Sequence, residues 1–101
     1  MAKRQLVRGI DAEILRRAAE IIKMLGHSER LKIVEVLEQG EATVSEIQEA
    51  LDQPQAIVSQ HLAKMRGANI VAARRDGVFV YYSIIEPKVG HILSCIRTCD
   101  M

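Results

Sequence analysis

The feature of this sequence that most constrains its fold is a change in the spacing of its apolar residues. From residue 11 to residue 67 they recur every three or four positions, which indicates helices. Between residues 70 and 85 the spacing falls to two, which indicates β-strands. The dipeptide Asp76-Gly77 divides this second part, and Asp-Gly between two such runs is a strong hairpin signal. A last helical pattern follows Glu86-Pro87.

Capping signals divide the helical part into four helices. Ser28 is the expected N-cap of the second helix. Thr43 and Glu46 have the spacing of a capping box, which predicts that the short third helix begins at residue 44. Pro54 suits the first turn of the fourth helix because its missing N–H would be unpaired there, and Gly67 is the expected end of that helix.

The third and fourth helices, joined by about three residues, have the spacing of a helix-turn-helix, and the hairpin after them is a wing. The predicted fold is therefore mainly α, a winged helix-turn-helix in the order α-α-α-α-β-β-α. The 101 residues suffice for one domain, 1–101, but such a small domain cannot cover both of its aliphatic end helices, so we expect a dimer. The predicted parts are dimerisation helices at 11–25 and 86–99, the helix-turn-helix at 43–67 and the wing at 70–85.

The fourth helix has an unusual polar side. Val58, Leu62 and Met65 form one apolar stripe. The opposite side carries no carboxylate, whereas an ordinary solvated helix face mixes Glu with Lys. The second helix of a helix-turn-helix lies in the major groove of DNA, where carboxylates would face phosphates. This side therefore predicts contact with double-stranded DNA.

The charge distribution favours the same function. Residues 29–52 hold two basic and seven acidic residues, whereas residues 53–85 hold four basic residues and one acid. Gln60 suits the hydrogen-bonding edge of adenine, and Ile57 suits the methyl group of thymine. Further predicted contacts to bases or phosphates come from Ser59, Lys64, Arg74 and Arg75. The alternative is a winged-helix module for protein contacts in which these basic residues are only solvated.

Other classes of protein fit the sequence poorly. It has no Gly-rich phosphate loop, no nucleophile with a plausible base and no carboxylate pair, so we do not expect an enzyme. No apolar run approaches the ~20 residues of a membrane span, and the segment MAKRQLVRG lacks the apolar core of a signal peptide. Two cysteines are too few for a disulfide scaffold, which favours the reducing cytoplasm.

Three stretches, LGHSERLKIVEVL, VSEIQEAL and QAIVSQHLAKMRGANIVAARRDGVFVYYSI, resemble the ArsR/SmtB family of dimeric winged helix-turn-helix repressors. The resemblance covers about residues 14–99. It implies a homodimer formed mainly by the first and last helices, a palindromic operator, and release from DNA when an inducer binds. The residues to which it assigns DNA contacts are Gln55, Ser59, Gln60 and His61 in the fourth helix and Arg74, Arg75 and Gly77 in the wing.

The inducer sites of that family do not match this sequence. One site uses cysteines of the third helix, which here carries none. Another uses Asp and His near the start of the last helix. Here Glu86 stands near the first position and Lys88 stands where a ligand is expected, and an ammonium group repels a cation.

The last helix instead carries His91, Cys95 and Cys99 at four-residue intervals, which places them in one stripe. One interpretation is a thiol sensor in which Cys95 and Cys99 bind a soft metal or metalloid ion, with His91 as a further metal ligand, or react with oxidants or reactive sulfur. The alternatives are reduced cysteines packed in a dimer interface, and a DNA-binding regulator without an inducer. Two other histidines have predicted local roles: a hydrogen bond at a helix junction for His27, and orientation of the fourth helix, a phosphate contact or simple packing for His61.

Overall fold

The computed structural model describes residues 9–99 and confirms the winged helix-turn-helix. Its helices are α1 (Ala12–Leu25), α2 (Ser28–Glu38), α3 (Val44–Leu51), α4 (Gln55–Gly67) and α5 (Pro87–Thr98). Its strands are β1 (Ala42–Thr43), β2 (Val71–Asp76) and β3 (Phe79–Ile84), which form an antiparallel sheet in the order β1-β3-β2. Most of the N-terminal segment inspected for a signal peptide lies outside the described residues.

Strand β1 was not predicted, because two residues are too short to show a period. It pairs Ala42 with Tyr82 and Thr43 with Tyr81. Thr43 also caps α3: its hydroxyl accepts from the Glu46 N–H at 3.2 Å, and the Glu46 carboxylate accepts from the Thr43 N–H at 2.9 Å. The predicted capping box is therefore confirmed, and the same residue joins the helix-turn-helix to the wing.

Two predicted helix starts are wrong by one residue. The N-cap of α2 is His27, with an extended backbone, and Ser28 is the first helical residue. Pro54 is the N-cap of α4 and precedes its first turn. Between α3 and α4 the chain reverses at Asp52, whose φ of 54° is left-handed, a conformation that aspartate tolerates better than most residues.

The hairpin is confirmed, but its turn lies one residue later than predicted. Asp76 pairs with Phe79, so the two-residue loop is Gly77-Val78. Gly77 has a φ of +64°, and a positive φ at the first loop position is the reason type II′ turns require glycine there.

Packing against the core determines which side of α4 is exposed. The predicted stripe of Val58, Leu62 and Met65 is fully buried, and burial of each such side chain is worth roughly 1.5–3 kcal/mol. The remaining aliphatic residues of the core come from every other helix and from the start of the wing: Ile21, Leu25, Ile33, Val34, Leu37, Ile47, Leu51, Ile70, Val71, Val89 and Leu93. Because one side of α4 is buried in this core, its opposite side faces outward.

The core also corrects the expectation about the end helices. This chain's own core covers Ile21 of α1 and Val89 and Leu93 of α5. The apolar residues of α1 and α5 that stay exposed are Ile14, Leu15, Ile22 and Ile96. One small domain therefore covers part of both helices and leaves an apolar surface centred on α1.

Within the described part of the chain, no helix has the length and apolar character needed to cross a membrane.

Candidate DNA-binding surface

The exposed side of α4 is the centre of the candidate surface. Ala56, Ile57, Gln60, Ala63 and Lys64 are all exposed, and Ile57 keeps 39% of its surface in water. The row is free of carboxylates, so a phosphate backbone can approach without repulsion from the helix itself. Small residues flank Gln60, which allows the helix to enter a groove closely.

Two other predicted contact residues of α4 lie beside this row. Gln55 is exposed in the first turn, and Ser59 is half-buried. The first turn also has no acidic residue, whereas the last turn carries Lys64 and Arg66. Both termini of α4 therefore suit an approaching polyanion.

His61 lies at the edge of the buried stripe and faces α2. Its Nδ1 accepts a hydrogen bond from Arg30 Nε at 3.1 Å, and its ring centroid is 4.6 Å from that of His27. Partial burial lowers the pKa of His61, and the nearby His27 and Arg30 lower it further. A neutral imidazole with Nδ1 as acceptor fits these contacts, so they support the predicted orienting role. A phosphate contact by His61 stays a prediction, and Nε2 is the ring nitrogen that could donate to a phosphate while Nδ1 accepts from Arg30.

The two wing arginines differ in their surroundings. Arg74 forms an ion pair with Glu41, with Nη2 and Oε1 2.5 Å apart, and lies 3.7 Å from Asp76. Its guanidinium also lies 4.9 Å from the centre of the Tyr81 ring. Arg75 points to the other face of the strand and makes no ion pair within residues 9–99. Arg75 is therefore the wing cation that is available to a phosphate.

The tip of the wing is apolar, which the sequence analysis missed. Val78 is 89% exposed and Phe79 is 56% exposed, beside Gly77 in the turn. A cleft of about 220 Å³ separates this tip from the start of the helix-turn-helix, and its lining residues are Thr43, Val44, Ser45, Gln55, Val78, Phe79 and Val80. The fold thus brings the predicted contact residue Gln55 and the wing tip to the two sides of one cleft. The available signal was the pair Val78-Phe79 directly after the turn glycine.

Two of the predicted sensor residues, His91 and Cys95, lie on α5, away from this surface in sequence. The predicted helical stripe is wrong for Cys99, which is the C-cap of α5 and has an extended backbone. His91, Cys95 and Cys99 are all exposed, and both cysteines are free thiols. Among residues 9–99, no three His, Cys, Asp or Glu side chains are grouped to hold a metal ion. A single chain therefore does not present the proposed metal-ligand set ready-made, and both cysteines are accessible in the single chain. Their packing in a dimer interface stays an alternative.

Comparison with known proteins shows which protein family this sequence matches. The sequence model described as "Bacterial regulatory protein, arsR family" matches residues 27–73, from the start of α2 into β2. The transcriptional repressor PagR of Bacillus anthracis is 44% identical over 80 residues, which span 78% of this chain and 80% of PagR. The crystal structure of PagR superposes with a TM-score of 0.77 and covers 85% of this chain and 99% of its own.

Two further solved structures share the fold. Reduced HlyU from Vibrio cholerae is 26% identical, with a TM-score of 0.79, and covers 87% of this chain and 95% of its own. A homodimeric winged helix-turn-helix DNA-binding domain from Mycobacterium bovis, described as a possible ArsR-family regulator, is 29% identical, with a TM-score of 0.74. The match covers 90% of this chain and 87% of that domain.

Proposed function

This chain belongs to the arsR family of bacterial regulatory proteins, and from that premise we propose that it is a homodimeric repressor that binds a palindromic operator. Its curated and solved relatives are transcriptional regulators rather than enzymes, and the chain is a DNA-binding transcriptional repressor of the same kind. The proposal has three finer parts: the residues that read the operator, the formation of a dimer, and the signal that releases the dimer from DNA.

The exposed side of α4 is the observation that carries the operator proposal. Gln60 lies in the middle of an acid-free row, where its amide can form two hydrogen bonds with an adenine edge. Ile57 lies one turn earlier and reaches a thymine methyl. Lys64 and Arg75 contact phosphates, which fixes the register but carries no sequence information.

The dimer proposal has two supports. The M. bovis relative is described as homodimeric. In this chain Ile14, Leu15 and Ile22 of α1 are 51%, 41% and 62% exposed, an apolar surface that a second copy would cover. Two-fold symmetry of the protein would match a palindromic operator.

The release signal is proposed to act on Cys95 and Cys99. Both thiols are exposed and therefore accessible to oxidants, reactive sulfur or a soft ion. One relative of the same fold, HlyU from Vibrio cholerae, is described in a reduced form. In this chain Cys95 lies on α5, a proposed dimerisation helix, and Cys99 directly follows that helix. Modification of these thiols would therefore act on DNA through the arrangement of the two subunits.

The test is a binding assay on DNA from upstream of the gene that encodes this chain, by fluorescence anisotropy and footprinting. The proposal predicts protection of a palindrome, and loss of binding with one of arsenite, cadmium, zinc, peroxide or polysulfide. The variant with both Cys95→Ser and Cys99→Ser should bind as tightly as wild type and should not be released. If the effective compound still releases the double variant, the sensor lies elsewhere.

A further inference from the structure

Glu86 is the only charged residue that is buried in the described part of the chain, with 8% of its surface exposed. Its carboxylate divides its two oxygens between two helices. Oε2 accepts from the Lys88 N–H at 3.1 Å, which caps the start of α5, and Oε1 accepts from Arg17 Nε of α1 at 3.1 Å. The Lys88 N–H lowers the pKa of Glu86, and Arg17 lowers it further, so the group is a carboxylate at neutral pH.

Both Nη nitrogens of Arg17 also donate to the residues that follow α4, although Nη2 is 3.1 Å from Glu86 Oε1 and Nη1 is 3.7 Å from Oε1 of Glu20 as well. Nη1 donates to the Ala68 carbonyl at 2.9 Å, and Nη2 donates to the Asn69 carbonyl at 3.2 Å. Ala68 is the C-cap of α4, and the last carbonyls of a helix have no partner within the helix itself. One planar guanidinium therefore connects α1, the end of the recognition helix α4 and the start of α5.

Stability alone is a poor explanation for such a group. A buried ion pair loses about as much solvation energy as it gains from attraction, so an apolar pair of similar size would often serve as well. What the arrangement does provide is direction, because a guanidinium presents its donors in a rigid fork. Here the acceptors belong to Glu86, the N-cap of α5, and to the two consecutive residues that follow α4.

We infer that Arg17 is a positioning residue that sets the orientation of α4 relative to the dimerisation helices α1 and α5. The inference rests on the proposed function. In a dimer on DNA, the distance between the two recognition helices must match the spacing of the two half-sites. Without the contacts of Arg17, α4 would move more freely relative to α1 and α5. Each α4 would still contact its half-site, but the distance between the two recognition helices would vary more widely.

The experiment compares Arg17→Met with Arg16→Met on three duplexes: the footprinted operator, the same operator with two base pairs inserted at its centre, and a single half-site. Arg16 is the matched control because it is on the same helix and is exposed, and among residues 9–99 it pairs only with Glu13 of its own helix. Arg17→Met should lose about tenfold in affinity for the operator, within the range typical of coupling between sites. Its affinities for the half-site and for the inserted duplex should equal those of wild type. Arg16→Met should bind all three duplexes with wild-type affinity.

Two further variants separate positioning from folding. Glu86→Gln keeps an oxygen for the Lys88 N–H but removes the charge that Arg17 contacts, so it should lose spacing preference in the same direction. Arg17→Lys keeps the charge but cannot supply the fork, and it should not restore the preference. Thermal unfolding and light scattering establish that each variant is folded and dimeric, and Glu86→Gln decides the matter if Arg17→Met does not fold.

Equal losses on the operator and the half-site, or an unchanged spacing preference in Arg17→Met and Glu86→Gln, would overturn the inference. If wild type itself fails to distinguish the operator from unrelated DNA, the proposed function fails instead, and the two failures are thus distinguishable.

Discussion

Arg74 of strand β2 and Glu41, the residue before β1, form a two-point ion pair, with Nη2–Oε1 at 2.5 Å and Nε–Oε2 at 3.3 Å. The hydrogen bond from Arg74 lowers the pKa of Glu41. Both side chains are about half exposed, and exposed pairs add little to stability. The pair matters mainly because Glu41 cancels a positive charge beside the proposed DNA surface.

Glu41→Gln should therefore strengthen DNA binding, because it releases Arg74 to the phosphates. One additional phosphate contact should make the salt dependence of the logarithm of affinity steeper by about 0.9 per subunit that contacts DNA. Anisotropy titrations over a series of salt concentrations measure both effects. Glu38→Gln is the control, because Glu38 pairs with Arg97 of α5 rather than with the wing. Weaker binding by Glu41→Gln would show that Arg74 does not approach DNA.

Gln60→Ala should weaken operator binding by about 1–3 kcal/mol and relax the preference at one base pair in each half-site. Its binding to unrelated DNA should stay unchanged, since the amide contributes to base recognition rather than to phosphate attraction. Gln39→Ala, at an exposed position after α2, is the matched control. Equal losses on operator and unrelated DNA would contradict a base-reading role for Gln60.

Most of the fold could be predicted because its signals are local. The stripe of α4, the capping box at Thr43 and the Asp-Gly hairpin each lie within a few residues, and each is confirmed. Strand β1 and the burial of Val89 could not be predicted in this way, since both depend on partners distant in the chain.

The candidate surface was predictable for the same reason on α4, whose exposed row follows from helical spacing alone. The contacts of the wing were less predictable, because the positive charge of Arg74 is paired with Glu41, 33 positions away. The contact between His61 and Arg30 likewise joins two helices across 31 positions. Sequence spacing predicts the face of a helix or strand on which a side chain lies. It does not identify the distant residue that the side chain contacts.

The folded protein should lose stability as the pH falls below 6.5, the usual pKa of histidine, because folding lowers the pKa of His61. The unfolded chain then binds a proton that the folded chain resists, so the free energy of unfolding declines until the pH passes the folded pKa. The measurement is chemical denaturation at several pH values above 4.5, the usual pKa of Glu, which separates the effect of His61 from the titration of carboxylates.

His61→Gln should flatten that decline, since a glutamine oxygen accepts from Arg30 without titrating. His91→Gln, at an exposed position of α5, should keep the wild-type profile. A decline in His61→Gln as steep as in wild type would show that another group is responsible.

Wild type should scatter light as a particle of twice the chain mass of 11.3 kDa at micromolar concentration. Ile22→Lys should give single chains, because it buries a charge in the proposed interface on α1. Val78→Lys changes an even more exposed apolar residue at the wing tip and should stay dimeric. A dimeric Ile22→Lys would place the interface elsewhere.

Sequence reading by α4 is tested most directly by comparing the affinity of wild type for the footprinted operator with its affinity for a scrambled duplex over a series of salt concentrations. We expect the operator to be preferred by about a thousandfold or more, and both affinities to fall steeply as salt rises. Equal affinity for the two duplexes, or binding that does not respond to salt, would contradict this expectation.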